Sequence, residues 1–197
     1  MFVDISDKIL KEYGIPEEYL IDHYPDNYFD YYIDIGTRGI NNPWHINKLA
    51  ENNPKTICIG YEPDVPYFKE LKNHTTNLDN VYINKEGFGV GDIKIPDGTC
   101  DSVSLSDIVD KYEIDIDSNW SIKFDCEGCE YSLFENDINL DILRKANHIS
   151  LEFHTTEHPT GNFFTSVNTL PESHDYSEMW MDLNFTNTHS IFLTSKE

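Results

Sequence analysis

The sequence has 197 residues, with 14 Lys+Arg against 36 Asp+Glu and a formal charge of −22. That length suits one domain around one core, and a hydrophobic share of 39% with 13% aromatics is enough to build it. The acidic balance repels polyanions and anionic bilayers, and no basic cluster longer than Arg144-Lys145 is present to grip phosphates, so neither nucleic acid nor membrane insertion is expected. The start, MFVDISDKIL, lacks a basic stretch followed by an apolar run, and no span of about eighteen apolar residues occurs, so a cytoplasmic location is expected.

Residues 1–30 read as a helical cap. Ile5, Ile9 and Leu10 recur at helical spacing, Gly14 and Pro16 break the run, and a second short helix precedes Pro25. Residues 31–197 form the main unit, in which strands and helices alternate as in a parallel sheet with crossover helices. The patterning predicts strands over 31–35, 56–61, 81–83, 120–126 and 148–154. It predicts helices from Asn42-Pro43 to about Glu51, over 65–73 with Asp64 as cap, from the capping box Ser104-Leu-Ser-Asp107 through Tyr112, and over 140–146. Gly87, Gly89 and Gly91 mark an irregular stretch, with a short hairpin through Ile93 and Ile95. Residues 183–187 and 190–194 flank Thr188-His189 as a closing antiparallel hairpin. The expected class is α/β: one doubly wound domain whose sheet is mostly parallel and ends in that hairpin.

Four cysteines are present, Cys58, Cys100, Cys126 and Cys129, and without a secretory signal free thiols are the expectation. Cys126-Glu-Gly-Cys129 has the spacing of redox and zinc sites, but zinc needs two further ligands and a thioredoxin-like site its own flanking pattern. The plain alternative is two small side chains filling space beside a strand end.

The chemistry gathers at the predicted strand ends. Tyr31-Tyr-Ile-Asp-Ile-Gly-Thr-Arg-Gly-Ile40 puts Asp34, Gly36 and Gly39 at a strand-to-helix turn, where an open α/β sheet binds ligands and glycine lets backbone approach them. An acid before the glycines suits a cofactor carrying an amine and a sulfonium, such as S-adenosylmethionine (SAM), better than a pyrophosphate. Taken alone, the turn is equally an ordinary tight turn with a capping aspartate. Glu62 ends the next strand, in Ile57-Cys-Ile-Gly-Tyr-Glu62-Pro63, where a carboxylate accepts from both hydroxyls of a ribose; otherwise it is a solvated strand-end acid. Asn84 and Glu86, after the third strand, are placed to reach an adenine edge or simply to form a turn.

Together these segments resemble the FkbM family of SAM-dependent methyltransferases. Ile33-Asp34-Ile35-Gly36 looks like the first SAM motif, and Tyr61-Glu62-Pro63-Asp64 with Phe68 and Leu71 is similar to the family's second segment. Val103-Ser104-Leu105-Ser106-Asp107-Ile108 looks like its helix start. Ile122-Lys123-Phe124-Asp125-Cys126-Glu127-Gly128-Cys129-Glu130 resembles its Lys-x-Asp-x-Glu-Gly-x-Glu signature, and Ile149-Ser-Leu-Glu152-Phe-His154 its fifth strand. The matches run in family order over about residues 31–154. The chain departs from the family at Thr37-Arg38, where Ala-Asn is usual, and its second glycine falls one residue early. Arg38 either pairs with the methionine carboxylate of SAM or spoils the pocket.

The resemblance implies a Rossmann-like class I methyltransferase fold and O-methylation of a hydroxyl on a sugar, glycan or polyketide-like small molecule, with SAM as cofactor. Methyl transfer needs alignment and exclusion of water, and a hydroxyl acceptor needs a base beside the methyl group. Asp125 and His154, at the ends of strands four and five, meet that requirement as catalytic candidates. Lys123, Glu127, Glu130 and Glu152 are candidate substrate-binding residues, although Lys123 and Asp125 share strand parity and can simply pair with each other. Glu127, Glu130 and Glu152 with Asp125 also form an oxygen-rich set able to hold a divalent cation, but no metal is predicted. The polar segment 155–164 is either a substrate lid or a plain surface loop. Two rivals stand beside the enzyme: a non-catalytic scaffold that keeps the fold, and an NAD-dependent enzyme, which Glu62 tolerates and the glycine turn does not.

Overall fold

The computed structural model describes residues 26–37, 45–89, 91, 93–95, 98–126, 128–134, 136–154, 174–181 and 188–195, and from residue 153 onward the backbone alone. The elements in chain order are β1 (Tyr31–Ile35), α1 (His45–Asn52), β2 (Ile57–Tyr61), α2 (Val65–His74), β3 (Val81–Asn84), β4 (Gly87–Phe88), β5 (Ile93–Ile95), β6 (Gly98–Cys100), β7 (Ser102–Val103), α3 (Leu105–Tyr112), β8 (Trp120–Phe124), α4 (Glu130–Leu133), α5 (Asp137–Leu143), β9 (His148–His154), β10 (His174–Met181) and β11 (Thr188–Ser195). The helices expected before residue 26 and the lid segment 155–164 lie outside the described residues.

Seven strands form the main sheet in the order β3-β2-β1-β8-β9-β11-β10. The strands from β3 to β9 pair in parallel, while β11 is antiparallel to both β9 and β10. Parallel strands buried on both faces read as nearly continuous apolar runs, and all five residues of β8 are buried. Alternation along β1 sends Ile33 and Ile35 to one core with Ile122, Phe124, Leu105, Ile108 and Leu143. It sends Tyr32 to the other, with Ile46, Leu49, Cys58 and Leu71. Helices α3 and α5 therefore cover one face and α1 and α2 the other, the expected doubly wound arrangement.

Local signals place several elements as predicted. The Ser104 hydroxyl accepts from the Asp107 N–H at 3.2 Å while the Asp107 carboxylate accepts from the Ser104 N–H at 2.9 Å, a complete capping box opening α3. The expected hairpin forms between β5 and β6. Other elements differ. Asp64 precedes α2 but makes no side-chain cap; its N–H is instead taken by Glu62 Oε1 at 2.8 Å, because Glu62 reaches forward over the turn. The fifth helix runs over Asp137–Leu143 rather than 140–146, since the Asn136 side chain caps it by accepting from Ile138 and Asn139. The closing hairpin joins His174–Met181 to Thr188–Ser195, so its first strand lies well before the predicted 183–187. Among the described residues, no helix is long and apolar enough to cross a membrane.

Candidate active site

The sheet order reverses between β1 and β8: the chain runs outward through β2 and β3 on one side of β1 and through β8 and β9 on the other. Such a reversal opens a crevice beyond the carboxyl ends of the strands. Three backbone hydrogen bonds tie those ends together, from the Gly36 N–H to the Tyr61 carbonyl at 3.0 Å, from Thr37 to the same carbonyl at 3.3 Å, and from Asp125 to the Ile35 carbonyl at 2.9 Å. Gly36 has φ +82°, and a Cβ there would lie 1.8 Å from the Asp125 carbonyl oxygen. Only glycine permits both the left-handed turn and this approach.

Asp34 lies in register with Lys123 across β1 and β8. Lys123 Nζ sits 3.5 Å from Asp34 Oδ1 and 3.3 Å from Asp125 Oδ2, so one ammonium bridges two carboxylates. Asp34 and Lys123 are both buried, and Asp125 is partly open. Burial pushes the Asp34 carboxyl above its ordinary value, and the nearby Lys123 ammonium opposes that rise. The shared strand parity of Lys123 and Asp125 thus does produce an ion pair, with Asp34 as its third member.

The second acid, Glu62, is 3% exposed and follows the last residue of β2. Asn84 donates to the Gly60 carbonyl at 3.1 Å and accepts from the Tyr112 hydroxyl at 2.8 Å, so both ends of its amide are used within the protein. Glu86 pairs with Lys111 at 2.8 Å. Lys111 Nζ also lies 5.8 Å from the ring centroids of both Tyr61 and Tyr112. The Tyr61 hydroxyl is buried with no hydrogen-bond partner among the described residues, and burial pushes its pKa far up. Lys111 and Tyr112 were not singled out from the sequence; their position in the last turn of a helix starting beside a strand end was the available signal.

After β8 the chain makes a tight loop. Here the expectation of free thiols fails: Cys126 and Cys129 are joined by a disulfide, with Cα atoms 5.4 Å apart, in a turn that Gly128 permits with φ +112°. Cys58 and Cys100 are thiols outside any disulfide, as expected, and both are buried. Glu130 is fully buried and accepts from the Cys126 N–H at 3.0 Å and the Gly128 N–H at 2.8 Å. Its carboxylate therefore anchors the loop, whereas the expectation was a substrate-binding acid. Glu152 is half-buried on β9, opposite Ser190 of β11. The backbone of His154 ends β9, as predicted, and its side chain is outside the described residues, as are Gly39, Arg38 and Glu127. Among the described residues, no three His, Cys, Asp or Glu side chains group to hold a metal ion. A separate cavity of about 600 Å³ opens at the other end of β2 and β3, beside Lys55, Asn80 and Tyr82, and contains none of the predicted site residues.

No protein-family model matches this sequence, and no curated protein matches it. Solved structures do share its fold. A methyltransferase FkbM from Methylobacillus flagellatus KT superposes with a TM-score of 0.58 at 17% identity, covering 90% of this chain and 48% of that one. This chain thus spans about half the length of that protein. A putative rRNA-methylase from Clostridium thermocellum gives 0.56 at 13% identity, covering 91% and 95%. Aeropyrum pernix fibrillarin, with natively bound S-adenosyl-L-methionine, gives 0.50 at 12% identity, covering 90% and 71%. The chain has the Rossmann-like class I methyltransferase fold. One expectation is overturned. Proteins named as rRNA methylases recur among these neighbours, so the acidic composition does not exclude nucleic acid as a partner, nor restrict the acceptor to a small molecule or glycan. Net charge describes the mean field of a chain, whereas nucleic-acid contact is decided by local patches.

Proposed function

We propose that this chain is a SAM-dependent methyltransferase of the FkbM type that methylates a hydroxyl oxygen. The observation that supports this best is the burial of Asp34 and Glu62 at the carboxyl ends of adjacent parallel strands, beside the reversal of strand order. The carboxylates of Asp34, Glu62 and Asp125 make an acidic set of acceptors whose charge suits an ammonium and a sulfonium. Glu62 takes the ribose hydroxyls and Asp34 the amine, with Gly36 and Gly39 letting the backbone approach and Asn84 and Glu86 lying beside the adenine. Bound SAM supplies the methyl group. Asp125 receives the acceptor's proton, and Lys123 holds that carboxylate toward the crevice. His154, at the neighbouring strand end, is the alternative base. Glu127 and Glu152 flank the acceptor.

Calorimetric titration with SAM tests the cofactor assignment. Wild type binds, and Glu62→Ala loses roughly 1.5–3 kcal/mol of binding free energy, about a ten- to hundredfold weakening, because hydrogen bonds to a charged group are lost. Incubation with isotope-labelled SAM and separate glycan and RNA pools then identifies the acceptor class by mass spectrometry. A second reading, a scaffold that has lost the cofactor, draws on the use of Asn84 by Gly60 and Tyr112 and of Glu62 by the Asp64 N–H. Absence of SAM binding at millimolar concentration would favour it.

A further inference from the structure

The Cys126–Cys129 disulfide lies in the loop after β8. In the chain-entropy picture a disulfide stabilises least when the loop it closes is shortest, and this one joins cysteines only 3 positions apart. Both cysteines are half-buried and pack against the edge of the main core rather than inside it. Cys126 directly follows Asp125, and Cys129 directly precedes Glu130. The bond therefore spans the segment between the lysine-held carboxylate at the β8 end and the buried glutamate that anchors the loop.

This segment also touches the turn after β1. The Asp125 carbonyl packs against Gly36 closely enough that a Cβ would lie 1.8 Å from it, and the Cys126 Cα would be 3.1 Å from that same Cβ. The Asp125 N–H donates to Ile35 at 2.9 Å. A change in the loop's freedom therefore reaches Asp125 and Gly36 without any intervening element. With the disulfide closed, the loop is held covalently as well as by the two hydrogen bonds to Glu130 and by Ser132, whose N–H and hydroxyl donate to the Cys129 carbonyl at 3.1 and 2.7 Å. With it open, the covalent restraint is gone and the hydrogen bonds, each individually breakable, carry the loop.

We infer that Cys126–Cys129 is a reversible thiol–disulfide site that sets the order of the crevice, closed in the oxidised form and loosened in the reduced one. The partner is a low-molecular-weight thiol and its disulfide. In the reducing direction a thiolate attacks one cysteine sulfur and forms a mixed disulfide, releasing the other cysteine as a thiolate that takes up a proton. A second thiol then attacks the mixed disulfide, so the protein gains two electrons and two protons while two thiols become one disulfide. The control of cofactor binding rests on the function proposed above; the exchange chemistry does not.

Equilibration in glutathione buffers of graded ratio, followed by alkylation and mass spectrometry, tests the exchange. A folded protein that passes between the dithiol and disulfide forms over that range is expected. A pair that stays wholly oxidised or wholly reduced throughout overturns the inference. Calorimetry with SAM then compares the two forms, and the reduced protein is expected to bind roughly three- to tenfold more weakly, because binding must order a looser loop. Cys126→Ser and Cys129→Ser should each bind like the reduced form in any buffer, which separates loss of the bond from direct effects of the reductant. Equal affinity in both forms overturns the inference and leaves the methyltransferase assignment standing. No binding in either form overturns that assignment and, with it, the coupling.

Discussion

Gly36→Ala is the most direct probe of how the crevice is built. Alanine at φ +82° costs about 1–2 kcal/mol, because its Cβ crowds the following carbonyl. A Cβ 1.8 Å from the Asp125 carbonyl oxygen also forces the β8 end to move, at about 1–3 kcal/mol by analogy with overpacked cores. The sum is about 2–5 kcal/mol, a large part of the ~5–15 kcal/mol typical of a domain. For a chain of 197 residues each kcal/mol shifts Tm by about 2–4 °C, so Tm should fall by roughly 4–20 °C. Thermal unfolding followed by circular dichroism measures it. Gly91→Ala is the control: its φ is +75° but nothing among the described residues lies within 4 Å of the added carbon, so it carries the backbone cost alone. If the two variants melt within about 2 °C of each other, the argued contact between the β1 turn and the β8 end contributes nothing and the reasoning is wrong.

Lys123→Met should destabilise by about 3–5 kcal/mol in urea titrations, since it strands buried Asp34 beside Asp125; adding Asp34→Asn should recover part of that loss. Asp34 also predicts a pH slope. Its folded pKa lies above the ordinary 3.8, so the native state binds more protons than the unfolded chain between that value and the folded pKa; its contribution is complete below about 3.8 and is lost as pH rises through the folded pKa. Wild-type stability should accordingly fall relative to Asp34→Asn as pH is raised from about 4 toward neutrality, and parallel curves would contradict the burial argument. Ser104→Ala removes the cap of α3 and should cost about 0.5–2 kcal/mol, read by urea unfolding at pH 7.

What the sequence made legible was local. The strands 31–35 and 148–154 coincide with β1 and β9, because a buried parallel strand bounded by turn residues is a contiguous signal. The capping box and the glycine turn after β1 were equally readable, since each depends on residues a few positions apart. The features that were not readable depend on distant pairings. His174–Met181 is polar and aromatic by turns, and only its registration against β11 makes it a strand. The burial of Glu130 and its two N–H donors could not be read from the sequence, since they depend on how the loop after β8 folds back. Lys123 was ambiguous for the same reason, because pairing with Asp34 joins residues 89 positions apart. The exclusion of nucleic acid rested on whole-chain charge and on basic residues adjacent in sequence, and neither describes a surface assembled from residues far apart in the chain.

The order β9-β11-β10 has a consequence for how the chain is made. Among the described residues β10 is registered only against β11, which emerges later from the ribosome. Until then His174–Met181 exposes an unsatisfied edge carrying a tryptophan and two methionines, a surface for chaperones or for aggregation, so yield from rapid expression should depend on how quickly translation delivers the strand that follows.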